Sequence, residues 1–151
     1  MKTIVSLSLI AMVGVVPAWA SADVKAAYAT EEMIIGASEA NGKIDPALAK
    51  EPALKHRTFR TYRTIKLLEK RTLKAEVATP MVIPLPNGRQ LTLVLQEVQS
   101  DGRFLMQMSI NRPKQKDYVR SVQMVLAPGK PIFQAGQRFG DMDLILGVRI
   151  R

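Results

Sequence analysis

Met106 and Met108 are separated by one residue. On a strand their thioethers would share a face about 7 Å apart, and soft sulfur donors select Cu(I). Met33, Met81, Met124 and Met142 offer further sulfur, and His56, the single imidazole of the chain, offers a nitrogen. Phe104 and Ile110 flank the pair on the same face, however, which is the pattern of a buried strand where methionine fills irregular space. Core packing is therefore expected of Met106 and Met108, and no cofactor is expected.

A second chemistry lies in residues 55–74, where Lys55, His56, Arg57, Arg60, Arg63, Lys66, Lys70, Arg71 and Lys74 are interleaved with Phe59 and Tyr62. Cations beside aromatics can grip a polyanion, such as anionic lipid head groups or an acidic polysaccharide. Arg57, Arg60, Tyr62, Arg63, Lys66 and Lys70 are the candidate residues for a partner or polyanion. If positions 60–66 form a strand, Arg60, Tyr62, Thr64 and Lys66 share one face. The plainer reading is a solvated edge strand whose charges discourage pairing with neighbours. No nucleic-acid motif accompanies the run.

Gly140-Asp141-Met142-Asp143 puts two carboxylates close together, but calcium wants six to eight oxygens and no known loop spacing follows. A polar turn is expected there. The chain has no Cys. That excludes a thiol nucleophile, a Cys-ligated zinc or iron-sulfur site and a disulfide scaffold. His56 has no oriented partner in the sequence, and no nucleophile elbow, Ser-x-x-Lys, phosphate loop or His-Glu-x-x-His occurs. Among the acids only Glu97 and Asp117 lie on or beside expected strands outside turns. The chain reads as a non-enzyme.

The elements that would position these residues begin after an export signal. Lys2, an apolar run from Ile4 to Val16 and the small residues of Ala18-Trp19-Ala20 mark residues 1–20 as a cleaved signal peptide. The run is too short to span a bilayer, which takes about 20 residues, so the mature chain is not expected to be transmembrane. Removing it takes one of the 22 basic residues and none of the 13 acidic ones, leaving 131 residues with a net charge of +8. One domain of that size buries a core without staples. Charge is uneven: residues 21–49 carry −3, 50–76 carry +6 and 77–151 carry +5.

Residues 21–54 show no clear period, so 21–56 is read as an irregular arm with a short helix starting at Asp45-Pro46 and stopped by Pro52. From there on the pattern is β. Leu91, Leu93 and Leu95, then Phe104, Met106, Met108 and Ile110, then Leu144, Leu146, Val148 and Ile150 recur at period two. Turn signals separate them at Pro86-Asn87-Gly88, Ser100-Asp101-Gly102, Asn111-Arg112-Pro113 and Pro128-Gly129-Lys130-Pro131. Asn87-Gly88 and Asp101-Gly102 suggest type I′ turns. The expected fold is a mainly β, antiparallel sandwich-like domain of about seven or eight short strands over residues 57–151. Apolar residues on both faces of some strands suggest a partly covered outer face. Residues 58–68 fit either strand or helix. A transmembrane barrel is disfavoured by seven aromatics in the mature chain and a charged Arg149-Ile150-Arg151 end.

Asn41-Gly42-Lys43-Ile44-Asp45-Pro46, Lys66-Leu67-Leu68, Leu85-Pro86-Asn87-Gly88-Arg89, and a tail running from Pro128-Gly129-Lys130-Pro131 through Ala135-Gly136 to Leu144-Ile145-Leu146-Gly147-Val148 resemble a group of small exported bacterial β-domain proteins with no assigned activity. The resemblance covers most of the mature chain. It implies an exported β-domain and lends no catalytic residue. Separately from the resemblance, the lack of catalytic residue types together with strands and export points to a periplasmic or secreted module that binds an envelope protein through a sheet edge or its basic face. Anionic lipid or polysaccharide is the alternative partner, and export argues against nucleic acid.

Overall fold

The computed structural model describes residues 26–112, 114–115 and 121–151. The export signal at 1–20, Pro113, Asp117 and Tyr118 lie outside the described residues. Among the described residues there are eight strands: β1 (Ala27–Ser38), β2 (Thr64–Glu76), β3 (Pro80–Pro84), β4 (Gln90–Val98), β5 (Phe104–Ile110), β6 (Val122–Leu126), β7 (Ile132–Phe139) and β8 (Met142–Ile150). They form two antiparallel four-stranded sheets, ordered β2-β1-β8-β7 and β3-β4-β5-β6. The mainly β, sandwich-like architecture is as the period-two pattern implies.

Alternation puts Leu91, Leu93 and Leu95 of β4, Phe104, Met106 and Met108 of β5, and Met124 and Leu126 of β6 on the inner face of the second sheet. There they meet Ile34 of β1 and Leu144, Leu146, Val148 and Ile150 of β8. Burial of each such side chain contributes about 1.5–3 kcal/mol. At one end of this core the Tyr28 and Phe104 rings pack edge to face, 5.1 Å apart at 71°. Such a pair adds about 0.5–1.5 kcal/mol beyond its area.

The outer face of the first sheet is also buried. Met33, Ile35 and Ala37 of β1, Ile65 of β2, Phe133 of β7 and Ile145 of β8 are covered by Leu48, Leu54 and Phe59. These three come from one connecting strap, residues 46–60. It holds a one-turn helix α1 (Pro46–Ala49) and two 3₁₀ turns, Pro52–Lys55 and Arg57–Phe59. Asp45 caps α1 as expected, its Oδ1 accepting from the Ala47 amide at 3.0 Å with Pro46 at the first helical position. Ion pairs latch the strap to the sheet. Arg149 Nη1 reaches Glu31 at 2.9 Å and its Nη2 reaches Glu51 of the strap at 2.6 Å.

Three expectations need correction. Residues 21–56 contain a twelve-residue strand, β1, at the centre of a sheet, beside the short helix. Glu32 through Ala37 are buried on both faces, so no alternation marks them. Residues 58–68 are neither one strand nor one helix: a 3₁₀ turn ends at Phe59 and β2 begins at Thr64. Finally, the turns at Asn87-Gly88 and Asp101-Gly102 are not type I′. Positive φ occurs at Gly88 and Gly102 (84° each) and not at the residues before them. The Gly88 amide donates to Leu85 O and the Leu85 amide to Arg89 O, which leaves a three-residue loop; residues 99–103 repeat the pattern. This is a type I turn closed by a left-handed glycine. Pro86, with φ fixed near −65°, suits the first central position of that type I turn.

Gly147 of β8 sits beneath the Phe133 ring, and a Cβ added there would stand 2.5 Å from a ring carbon. Gly147→Ala is expected to cost about 1–3 kcal/mol in denaturant unfolding. In a Phe133→Ala background that increment should fall close to zero, because the clash is with the ring.

Candidate functional site

The six basic-stretch candidates do not share a face. Arg57 and Arg60 belong to the end of the strap and are exposed, Arg63 precedes β2, and Lys66 and Lys70 lie on β2. A register shift where Ile34 pairs with Glu69 but Ile35 with Leu67 places Leu68 in a bulge. The bulge turns Lys66 and Lys70 to opposite faces of the sheet. Carboxylates and other acceptors also intervene. Lys70 Nζ lies 3.4 Å from Glu31, Arg71 Nε 2.5 Å from Glu69, and Arg63 Nη1 donates to Asn41 Oδ1 at 2.8 Å. Glu39 lines the recess shared by Arg60 and Arg63.

Tyr62 is half-buried and not available as a stacking platform. Its hydroxyl donates to Asp143 Oδ2 at 2.8 Å, and Arg138 Nη1 meets Asp143 Oδ1 at 2.7 Å. Burial first, and then the bond to Asp143, push the Tyr62 pKa up to about 12. Tyr62 and Arg138 together hold Asp143 below the usual carboxylate range. Asp143 thus lies on β8 and serves as a structural anchor, and Asp141 occupies the two-residue turn with Gly140 (φ 61°). In an absorbance titration one phenol is expected to ionise near pH 12 and to vanish in Tyr62→Phe. Its folded value lies above the ordinary 10.0, so stability holds below pH 10 and falls between 10 and about 12.

Met106 and Met108 point into the sandwich core and are 0% and 3% exposed. His56 lies on the strap over the outer face of the other sheet, its Nδ1 2.9 Å from Thr58 Oγ1. The thioethers and the imidazole are not brought together.

What the structure does bring together is the outer face of the second sheet. Gln96, Gln107 and Gln123 form a hydrogen-bonded row across three strands, Gln96 Nε2 to Gln107 Oε1 at 2.7 Å and Gln123 Nε2 to Gln96 Oε1 at 3.2 Å. Val82, Val94, Leu105 and Val125 surround the row, and Glu97 stands at its margin. Among the described residues nothing covers this face, and Val82 and Val125 are 54% and 42% exposed.

The face ends at β6, and the four sheet edges differ in how they are defended. The start of β2 is closed by residues 43–45, with the Asp45 amide donating to Ile65 O at 2.8 Å, and the strand carries exposed Lys66, Lys70 and Lys74. The five-residue β3 has Pro80 and Pro84 at its ends. The β7 edge is broken by a register shift between Ala135 and Gln137. Charge, proline and bulges are the known protections of an edge. β6, Val-Gln-Met-Val-Leu, has none of them, and among the described residues its outer edge has no partner strand.

No protein-family model, curated protein or solved structure matches the chain. The β6 edge was not singled out from sequence. Its one signal was Met124, Val125 and Leu126 placing apolar residues on both faces of a strand.

Proposed function

We propose that this chain is an exported, non-catalytic binding or assembly module of the bacterial cell envelope, and that it takes an extended segment of a protein partner along the β6 edge. The supporting observation is the contrast among edges: three are protected, whereas β6 is uncharged and, among the described residues, open and continuous with an uncovered face of valine, leucine and glutamine. An added strand would bond to the β6 main chain and rest side chains beside Val122, Gln123 and Val125. The basic stretch supports this less well, since its cations point in different directions and several are already paired.

The tagged chain should recover a partner from envelope extract. Val122→Lys with Val125→Lys, at two exposed positions, should reduce recovery at least about tenfold, a loss of about 1.4 kcal/mol. Arg57→Gln with Arg60→Gln and Arg63→Gln should not. Failure to recover any partner at any salt concentration, or loss confined to the arginine variant, would overturn the reading.

A further inference from the structure

At one end of the sandwich, two connections of one sheet and strand β7 of the other line an open cup of about 410 Å³, formed by Asn87, Gly88, Arg89, Asn111, Lys114 and Arg138. Arg89 follows the β3–β4 turn, Asn111 and Lys114 follow β5, and Arg138 comes from β7 of the opposite sheet. Three cations and two carboxamides converge there, and among the described residues that line it none is acidic.

The frame of the cup is fixed by its own hydrogen bonds. Asn87 Nδ2 donates to the Arg138 carbonyl at 3.1 Å, tying a turn of one sheet to a strand of the other. Asn87 Oδ1 accepts from the Arg89 amide at 3.2 Å. Asn111 Oδ1 accepts from the Gln90 amide at 2.6 Å and its Nδ2 donates to Gln115 O at 3.0 Å. The Arg89 guanidinium is oriented by Gln137 Oε1, a neutral acceptor. Arg138 is shared with Asp143. Among the described residues Arg89 and Lys114 have no carboxylate partner, unlike Lys70 and Arg71 of the basic stretch. Two uncompensated cations held by a preorganised frame, in a chain of net charge +9, favour an anion. A planar guanidinium matches two oxygens of a tetrahedral oxyanion, and an ammonium supplies a third contact. The volume lies within the range of small-ligand sites, about 300–1,000 Å³.

We propose that this cup binds the phosphate group of a phosphorylated ligand, with Arg89 and Lys114 as its principal donors and Arg138 at its wall. The site is separate from the β6 edge and does not rest on it. A phosphorylated small molecule and a phospholipid head group present the same group.

The test is a ¹H–¹⁵N titration of the whole chain with inorganic phosphate at low salt, followed by sedimentation with phosphatidylglycerol vesicles against phosphatidylcholine vesicles. Saturable shifts are expected at Gly88, Arg89, Asn111 and Lys114. Lys114→Gln, at an exposed position that leaves the fold intact, should weaken phosphate at least threefold, and Arg89→Gln with Lys114→Gln at least tenfold. Arg57→Gln with Arg60→Gln and Arg63→Gln should leave it unchanged. Sedimentation with the anionic vesicles alone would assign the lipid source, and phosphate binding without it the soluble one; both support the site. Shifts that do not saturate, shifts that map to residues 57–70, or equal weakening in both sets of variants would overturn it.

Discussion

Truncating Phe59 to alanine is expected to remove about 3–5 kcal/mol of unfolding free energy, in the range for a buried aromatic. Phe59 is 7% exposed and lies with Leu48 and Leu54 against Met33, Ile35, Phe133 and Ile145. It anchors the end of the strap farthest from α1. Losing it opens a cavity on the outer face of the β2-β1-β8-β7 sheet and loosens the hold of residues 46–60 on that sheet. Domains are stable by only about 5–15 kcal/mol, so the denaturant midpoint should drop by a large fraction. The neighbouring exposed Arg57→Ala should stay within about 0.5 kcal/mol of the parent. A cost under about 1 kcal/mol for Phe59→Ala would mean that the strap is a separable arm and not a third layer.

Glu32 carries the second large effect, with the opposite sign. It sits on the inner face of β1, in register with Arg71 on one side and Val148 on the other, and is 2% exposed. Neither carboxyl oxygen has a hydrogen-bond partner among the described residues. The adjacent Thr30 hydroxyl is turned toward Leu73 O at 3.2 Å and Met81 Sδ at 3.8 Å. Burial pushes the Glu32 pKa above the ordinary 4.5, and the nearby Arg71 charge opposes this only in part. Above pH 4.5 the unfolded chain therefore releases this proton while the folded chain retains it. Stability attributable to Glu32 declines as pH rises from 4.5 to the raised folded value and is constant beyond. Glu32→Leu should accordingly gain about 1–3 kcal/mol at pH 7 and less at pH 4. Glu32→Gln should flatten the pH profile, because an amide does not titrate. A leucine variant less stable than the parent at pH 7 would show that the carboxylate is satisfied in the folded state.

The sandwich was legible wherever one face of a strand is wet. Leu91, Leu93 and Leu95 alternate with Thr92, Val94 and Gln96 because among the described residues nothing covers the outer face of that sheet, and period two survives. β1 was illegible for the converse reason. From Glu32 to Ala37 both faces are buried, one by the facing sheet and one by the strap, so Met33, Ile34 and Ile35 form a run without a period. Residues 58–68 fitted both strand and helix because Phe59, Tyr62 and Ile65, three positions apart, all pack into or against the same outer cluster. A 3₁₀ turn followed by a strand produced this spacing, which a single-element reading could not capture.

The candidate site was less legible than the fold. Charge runs such as Arg57, Arg60 and Arg63 are visible in sequence, but the groups that partner its cations, Glu31 for Lys70 and Asn41 for Arg63, come from parts of the chain distant in sequence. The β6 edge is defined by what its neighbours lack, and edge status depends on strand order, which periodicity does not contain. Arg89, Lys114 and Arg138 are likewise scattered over fifty positions and meet only because loops gather at the ends of a sandwich.

Amide hydrogen exchange across β6, with and without the recovered envelope partner, tests the central claim most directly. Strand addition should slow exchange within Val122–Leu126 at least tenfold, since an edge amide that bonds to a partner strand is no longer open to water. Unchanged exchange along β6, with protection appearing instead over residues 57–70, would contradict the claim and return the binding surface to the basic stretch.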